Sequence, residues 1–322
     1  MENKYNCKLI WSSEPFTQKS TSAGGFYIIA KEFFVKHKEL ACVYGSAFTE
    51  NNTVSHIRVT SIDELYMLQG SKYVQSSLYN TLNYIKHDLD IGKYVLFSGT
   101  ACQTAAVTKF IGNNERLFTI DILCHGVPSQ KLWLHYLDAQ KKKYGGEIDN
   151  ISFRNKSKNN RLGYVLKFVC NSKQITKYAE TDFYYKSFID GLSLRPSCYE
   201  CPFVGSYFGS DLTLADSNNN RFHPVNAISL CIIRTSKGES LFNILNNFCD
   251  VCDTDYYEES KTNKKLIFPT IRPVGRDSFY DNISSSEILT STNLKKDFVL
   301  RIKNSIPTWI KRRIKGEKND NH

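Results

Sequence analysis

Three consecutive segments, YVLFSGT (94–100), ACQTAAVTKFIG (101–112) and LFTIDILC (117–124), decide the fold. The first and third are apolar runs of strand length, and the middle one suits a helix. Strand, helix and strand over roughly 30 residues make a βαβ unit, whose two strands run parallel. Gly99 closes the first strand, so Cys102 falls just beyond its C-terminal end, and Cys124 ends the second. If the strands are neighbours, both thiols lie at one sheet edge. Open α/β sheets gather ligands at that edge, because helix N-termini there point N–H groups outward. The expected class is therefore α/β: a mixed sheet containing the parallel βαβ unit at 94–124, helices on both faces, and a basic C-terminal tail.

Upstream, TSAGGFYIIAKEFFVK (21–36) sets Thr21 and Ser22 before Gly24, Gly25 and an apolar run, which predicts a helix N-terminus with free backbone N–H groups. LACVYGSAF (40–48) and HIRVTS (56–61) read as strands, and 62–69 and 77–90 as helical. Downstream, helices are expected at 129–144, 181–190 and 237–249, with strands at 164–170 and 227–235. Beyond about residue 253 the pattern weakens.

At 322 residues, 41% hydrophobic and 23% charged, the chain suits a soluble globular protein with a sizeable core. It has no run of about 18 apolar residues, and MENKYNCKLIWSSE lacks the layout of a secretion signal, so the expected location is the cytoplasm. The formal charge of +10 is uneven. Residues 295–318 hold nine basic and two acidic side chains, a net +7 that leaves +3 for the rest. Within that tail, LRIKNSIPTWIKRRIK (300–315) has the amphipathic basic character that suits peripheral contact with an anionic membrane, although Pro307 interrupts a single helix and a solvated tail is the commoner explanation. No motif for nucleic-acid binding accompanies the charge.

Ten cysteines in a reducing compartment point to core residues, metal ligands or reactive thiols before disulfides. In SLRPSCYECPF, Cys198 and Cys201 form a C-x-x-C loop between Pro196 and Pro202. Such a loop brings two thiolates to one metal or cluster, but two incidental loop cysteines look the same. Cys102 follows Gly99 and Thr100 at a helix start, where the dipole favours a thiolate. Cys124 leads into His125-Gly126, a backbone able to bend around a bulky ligand. Together the four make a set for zinc or for a [4Fe-4S] cluster. Cys42, Cys170 and Cys231 sit in apolar strand-like runs and read as core, Cys7 stands alone, and the pair Cys249 and Cys252 lacks a second pair to complete a site.

The ordered motifs TSAGGF, GSKYVQS, FSGTACQ, DILCHGVPS, SFRNK and LRPSCYECPF resemble the coenzyme F-420 hydrogenase/dehydrogenase beta-subunit family over roughly residues 5–250. The resemblance implies an oxidoreductase subunit that passes electrons between FAD and one [4Fe-4S] cluster. It matches Cys102, Cys124, Cys198 and Cys201 to the family's repeated cysteines. It also implies a flavin site at Thr21, Ser22, Gly24, Gly25, Ser71, Lys72, Tyr73, Gln75 and Thr100, with Lys72 and His125 as catalytic residues and Arg154 in the same crevice. Lys72 reads equally well as a solvated loop lysine. On this reading 1–93 is the N-terminal part of the beta-subunit-like core, 94–255 the cysteine-containing part, and 256–322 an irregular region with the basic tail.

Two departures bear on this. The chain starts too late to hold the ferredoxin-like module of many relatives, which implies a separate electron carrier such as a ferredoxin. Where relatives read close to D-F-W-G, this chain has Asp216-Ser217-Asn218-Asn219. Relatives without the module occur beside cell-surface polysaccharide genes, so a small-molecule or sugar-linked substrate is implied. The alternative is a non-catalytic metal-binding or assembly protein holding zinc or a structural cluster.

Overall fold

The computed structural model describes residues 6–12, 20–155, 164–204, 209–217 and 228–283. The basic stretch 295–318, Asn218 and Asn219 lie outside them. Along the chain come β1 (Asn6–Trp11), α1 (Gly25–His37), β2 (Ala41–Phe48), β3 (Val54–Val59), α2 (Thr81–Asp90), β4 (Tyr94–Thr100), α3 (Ala101–Ile111) and β5 (Leu117–Ile122). Then follow α4 (Gln130–Tyr144), β6 (Ile148–Asn155), β7 (Val165–Cys170), β8 (Lys173–Tyr178), α5 (Phe183–Ile189) and α6 (Pro196–Tyr199). The last elements are β9 (Leu212–Asp216), β10 (Ser229–Ile233), α7 (Ser236–Leu245), β11 (Asp250–Thr254), α8 (Tyr256–Thr262) and α9 (Arg276–Asn282).

Two compact units form from interleaved segments, Met1–Gln130 with Arg195–Ile271 and Lys131–Leu194 with Arg272–His322. The first is built on an eight-stranded sheet in the order β11-β1-β10-β9-β5-β4-β2-β3. Its centre is parallel, through the pairs β2 with β4, β4 with β5, and β5 with β9. The remaining pairs are antiparallel, which gives the mixed α/β sheet expected from the sequence. Strands β4 and β5 are hydrogen-bonded neighbours, with Val95 opposite Leu117 and Thr100 opposite Ile122.

Alternation along β4 explains why helices cover both faces. Leu96 joins Ile28, Phe33, Leu212 and Leu241 in a core beneath α1 and α7, while Val95 and Phe97 pack with Ile85, Leu89 and Val107 beneath α2 and α3. All three β4 side chains are fully buried. Each contributes about 1.5–3 kcal/mol relative to exposure. Cys42 and Cys231 are likewise core residues, and Cys7 belongs to β1 and is buried there.

The second unit carries the antiparallel sheet β6-β7-β8. Trp133 and Tyr136 of α4 pack in tilted arrangements against Tyr184 of α5, at 4.9 and 5.1 Å between ring centroids. Asp182 caps α5 by accepting from the Tyr185 amide at 3.0 Å and takes the Tyr136 hydroxyl at 2.8 Å.

Several boundaries differ from the sequence reading. The helix expected at 77–90 begins at Thr81, because Asn80 adopts a left-handed φ of 60° just before it. The segment expected to be helical at 62–69 is a 3-10 turn, Ile62–Leu68, entered through a capping box of Ser61 and Glu64. Beyond residue 253, where the pattern weakened, lie α8, a 3-10 turn at Lys264–Leu266, and α9. No helix among the described residues is long and apolar enough to cross a membrane.

Candidate functional site

The parallel strands end at one edge of the large sheet, and most of the residues singled out from the sequence gather along it. At the end of β4, Thr100 caps α3: its amide donates to Gln103 Oε1 at 2.9 Å, and its hydroxyl lies 3.2 Å from Cys102 Sγ. At the end of β5 the chain turns through Cys124, His125 and Gly126. Gly126 adopts φ 114°, a conformation that side chains disfavour, and its amide donates to Cys124 Sγ at 3.2 Å. The C-x-x-C loop is tied to the same turn, because the Arg195 amide donates to the Val127 carbonyl at 3.0 Å.

Cys102, Cys124, Cys198 and Cys201 all line one cavity of about 80 Å³ over the α3 face of the sheet. One water-sized sphere takes about 10–15 Å³ on this measure, so there is room for a group of several atoms. Among the described residues no three His, Cys, Asp or Glu side chains converge tightly enough to hold a single metal ion. The thiols are nonetheless close enough to interact. Burial pushes Cys124 up to about 12, the Gly126 amide opposes this, and Cys102, Cys198 and Cys201 each raise it further. Burial also raises Cys201, whose thiolate form is favoured by the Phe203 amide. The same relation, an amide two residues on donating to sulfur, thus recurs at Cys124 and Cys201.

The cavity's polar wall was not anticipated from sequence. Asp121, on β5, accepts the hydroxyls of Ser210 and Thr213 and faces Arg234 Nη1 at 3.4 Å. From the other side, Lys265 Nζ donates to Thr270 Oγ1 at 2.7 Å, and that hydroxyl donates to the His125 carbonyl at 2.5 Å. Burial lowers the Lys265 ammonium, while the Cys124 thiolate raises it. His125 lines the cavity as well. Arg154 does not; in the second unit it lies over the Tyr164 ring at 4.6 Å.

The glycine turn sits at the same sheet edge, at the start of β10. Gly24, at φ 84°, precedes α1, which has neither a side-chain cap nor an acidic residue in its first turn. Ser22 Oγ is 2.8 Å from Ser229 Oγ, which also accepts the Ala23 amide at 3.2 Å. Thr21, like Ser22, is half-buried beside this turn.

The segment from Ser71 to Gln75 runs past the ends of β3 and β4. The Gln75 amide donates to the Pro128 carbonyl at 3.0 Å, and Gln103 Nε2 to the Ser76 carbonyl at 3.2 Å. Ser71, Tyr73 and Gln75 are half-buried, and none of them lines the cysteine cavity. Lys72 is not a solvated loop lysine: its ammonium donates to the carbonyls of Met67, Leu68 and Gln69 at 3.2, 3.0 and 2.8 Å, closing the 3-10 turn. Burial brings it down to about 7. Nearby His56, fully enclosed, is lowered to about 4 by burial, with the Lys72 charge adding to the effect, and is held by Ser76 and the Ser98 carbonyl.

The departure at Asp216-Ser217 closes β9 against α8, where Ser217 Oγ donates to Glu259 at 2.7 Å and Asn263 Nδ2 to the Asp216 carbonyl at 3.3 Å.

No curated protein matches this chain. A chain of the F420-reducing [NiFe] hydrogenase complex from Methanosarcina barkeri, determined with xenon derivatization, has a similar fold. The TM-score is 0.51 at 13% identity, over 82% of this chain and 89% of that one. Residues 92–259 match the sequence model for the C terminus of the coenzyme F420 hydrogenase/dehydrogenase beta subunit. That segment contains all four cavity cysteines but neither TSAGGF nor GSKYVQS. The chain belongs to the coenzyme F420 hydrogenase/dehydrogenase beta-subunit family.

Proposed function

We propose that this protein is an iron–sulfur flavoprotein subunit that passes electrons between FAD and one [4Fe-4S] cluster held by Cys102, Cys124, Cys198 and Cys201. The observation that carries the reading is the single cavity lined by those four thiols. Four thiolates are the donor set of such a cluster. Zinc takes the same four-thiolate set, and the metal and sulfide analysis below separates the two. Amides aimed at Cys124 and Cys201 stabilise the thiolate forms that ligation requires.

When bound, the cluster supplies one-electron transfer and the flavin two-electron transfer. The uncapped N-terminus of α1 after Gly24 fits the flavin's diphosphate, because its N–H groups lack side-chain partners and its dipole favours an anion. Thr21, Ser22 and Gly25 frame that turn. Thr100 holds the start of α3 and with it Cys102, and His125 offers the cavity a titratable group. Lys72 acts through the segment Ser71–Gln75, whose path it fixes by closing the preceding turn. A ferredoxin-type donor and a sugar-linked substrate complete the reading, and the likeness to a chain of a hydrogenase complex supports partner subunits.

The test is anaerobic reconstitution of the full chain, followed by iron, acid-labile sulfide and flavin analysis, for the wild type and Cys198→Ser. Iron and sulfide in equal amounts in the wild type, and their loss in the variant, are the expected result. A colourless wild type holding one zinc, or a variant that keeps its full cluster, refutes the assignment.

A further inference from the structure

Two cations line the cysteine cavity among the described residues, Arg234 and Lys265, and they differ in how far their charge is already neutralised. Arg234 faces the buried carboxylate of Asp121 and donates to the hydroxyls of Ser210 and Thr213. Lys265 has no carboxylate partner among the described residues. Its one side-chain hydrogen bond there goes to Thr270 Oγ1.

The direction of that bond matters. The Thr270 hydroxyl has one proton, which it donates to the His125 carbonyl at 2.5 Å, so toward Lys265 it can only accept. Lys265 is thereby anchored to the peptide that follows Cys124. An ammonium has three N–H groups, and two are left for whatever occupies the cavity.

We infer that Lys265, held by Thr270, is the charge-balancing residue of the cysteine-bound cluster and sets its reduction potential. The inference rests on the cluster reading above. Four thiolates leave the cluster with a net negative charge, and reduction adds one electron with no bond made or broken. A fixed positive charge beside Cys124 favours the reduced state, since charges at close range within a protein interact strongly enough to outweigh a tenfold change in equilibrium. Hydrogen bonds and charge near the sulfurs are among the general determinants of cluster potential. Lys265 and Thr270 both lie beyond the matched segment 92–259, so this cation is not read from the family match.

The test compares the wild type, Lys265→Gln and Lys265→Arg as full chains, reconstituted anaerobically and assayed for iron and sulfide before titration with dithionite against redox mediators. Lys265→Gln should reduce the equilibrium constant for cluster reduction at least tenfold, a midpoint about 59 mV more negative, with Lys265→Arg close to the wild type. Loss of the cluster from Lys265→Gln with retention in Lys265→Arg also supports the inference, because charge then decides retention. An unchanged potential in Lys265→Gln with a full complement of iron overturns it. So does an equal shift, or equal loss of iron, in both variants, which would mark a packing role. A wild type that binds no iron removes the cluster reading itself and the inference with it, and the metal assay separates that failure from the others.

Discussion

The amide of Gly126 donates to the sulfur of Cys124 at 3.2 Å, and Gly126 itself holds a φ of 114°. The turn after β5 therefore puts a backbone donor on a thiol that burial otherwise keeps protonated, at a residue whose own backbone conformation favours glycine. Gly126→Ala should destabilise the chain by about 1–3 kcal/mol, the usual cost of a side chain in a strained backbone region. It should also lower bound iron by pulling the amide off the sulfur. Urea unfolding and iron analysis check the two effects separately, and a variant matching the wild type in both would make the hydrogen bond dispensable.

A second prediction concerns the edge of the α2 layer. Arg58 donates to both oxygens of Asp88, at 2.6 and 2.9 Å, and the Tyr44 hydroxyl adds a third bond at 2.6 Å. Burial raises the Asp88 carboxyl, but these donors outweigh it and hold the group below its usual value. A carboxylate with a depressed value stabilises the fold above its unfolded pKa of about 3.9, and that stability is lost as pH falls through the lower folded value. Asp88→Asn should cost about 3 kcal/mol near neutrality, the low end for breaking a buried pair because Arg58 is partly solvated. The variant should also show a shallower loss of stability in acid. Urea midpoints at neutral and acidic pH measure both.

The βαβ unit and the convergence of Cys102 and Cys124 were legible because both depend on local signals: two apolar runs, one glycine and a helix start. The core positions of Cys42 and Cys231 were legible for the same reason. Strand β9 was not, since LTLAD is five residues long and follows a glycine- and serine-rich loop, and only its pairing with β5 and β10 makes it a strand. Strand β1 depends likewise on its neighbours β10 and β11.

The engagement of Lys72 was hidden because its partners are backbone carbonyls, which carry no residue signature. The cavity wall was missed because it joins positions far apart in the chain, Asp121 to Arg234 and His125 to Thr270. In the sequence Lys265 is one lysine of a polar stretch, and only the return of that stretch to Cys124 gives it meaning.

Lys72 gives a prediction of the same pH sense in a higher window. Its ammonium sits at about 7 in the fold, against about 10.4 for an unperturbed lysine. Between those values the unfolded chain binds a proton that the folded chain does not, so this group's contribution to stability rises with pH across that window. The stability of the wild type relative to Lys72→Met should therefore grow between about pH 6 and about pH 9. Buried cysteines titrate in the same range but identically in both proteins, so the difference isolates the lysine. A difference that stays flat would mean that the three carbonyls offset the burial and keep the ammonium charged in the fold.

Thiol accessibility supplies the last prediction, and it tests the four-cysteine assignment without any catalytic assay. Alkylating reagents need a thiolate that is within reach. In the metal-free chain at about pH 8, Cys102 is exposed and should react with iodoacetamide well before Cys124, which burial pushes up to about 12. Buried Cys7 and Cys42, raised to about 12 and about 11 by burial, should stay unmodified until the protein unfolds. Ligation reverses this order at one position, because a thiolate bound to iron is no longer available as a nucleophile. After reconstitution Cys102 should become as protected as Cys124, while half-buried Cys252, which lies outside the cavity, keeps its rate. Peptide mass spectrometry of timed reactions reads each cysteine separately, and equal reactivity of Cys102 with and without bound iron would remove it from the ligand set.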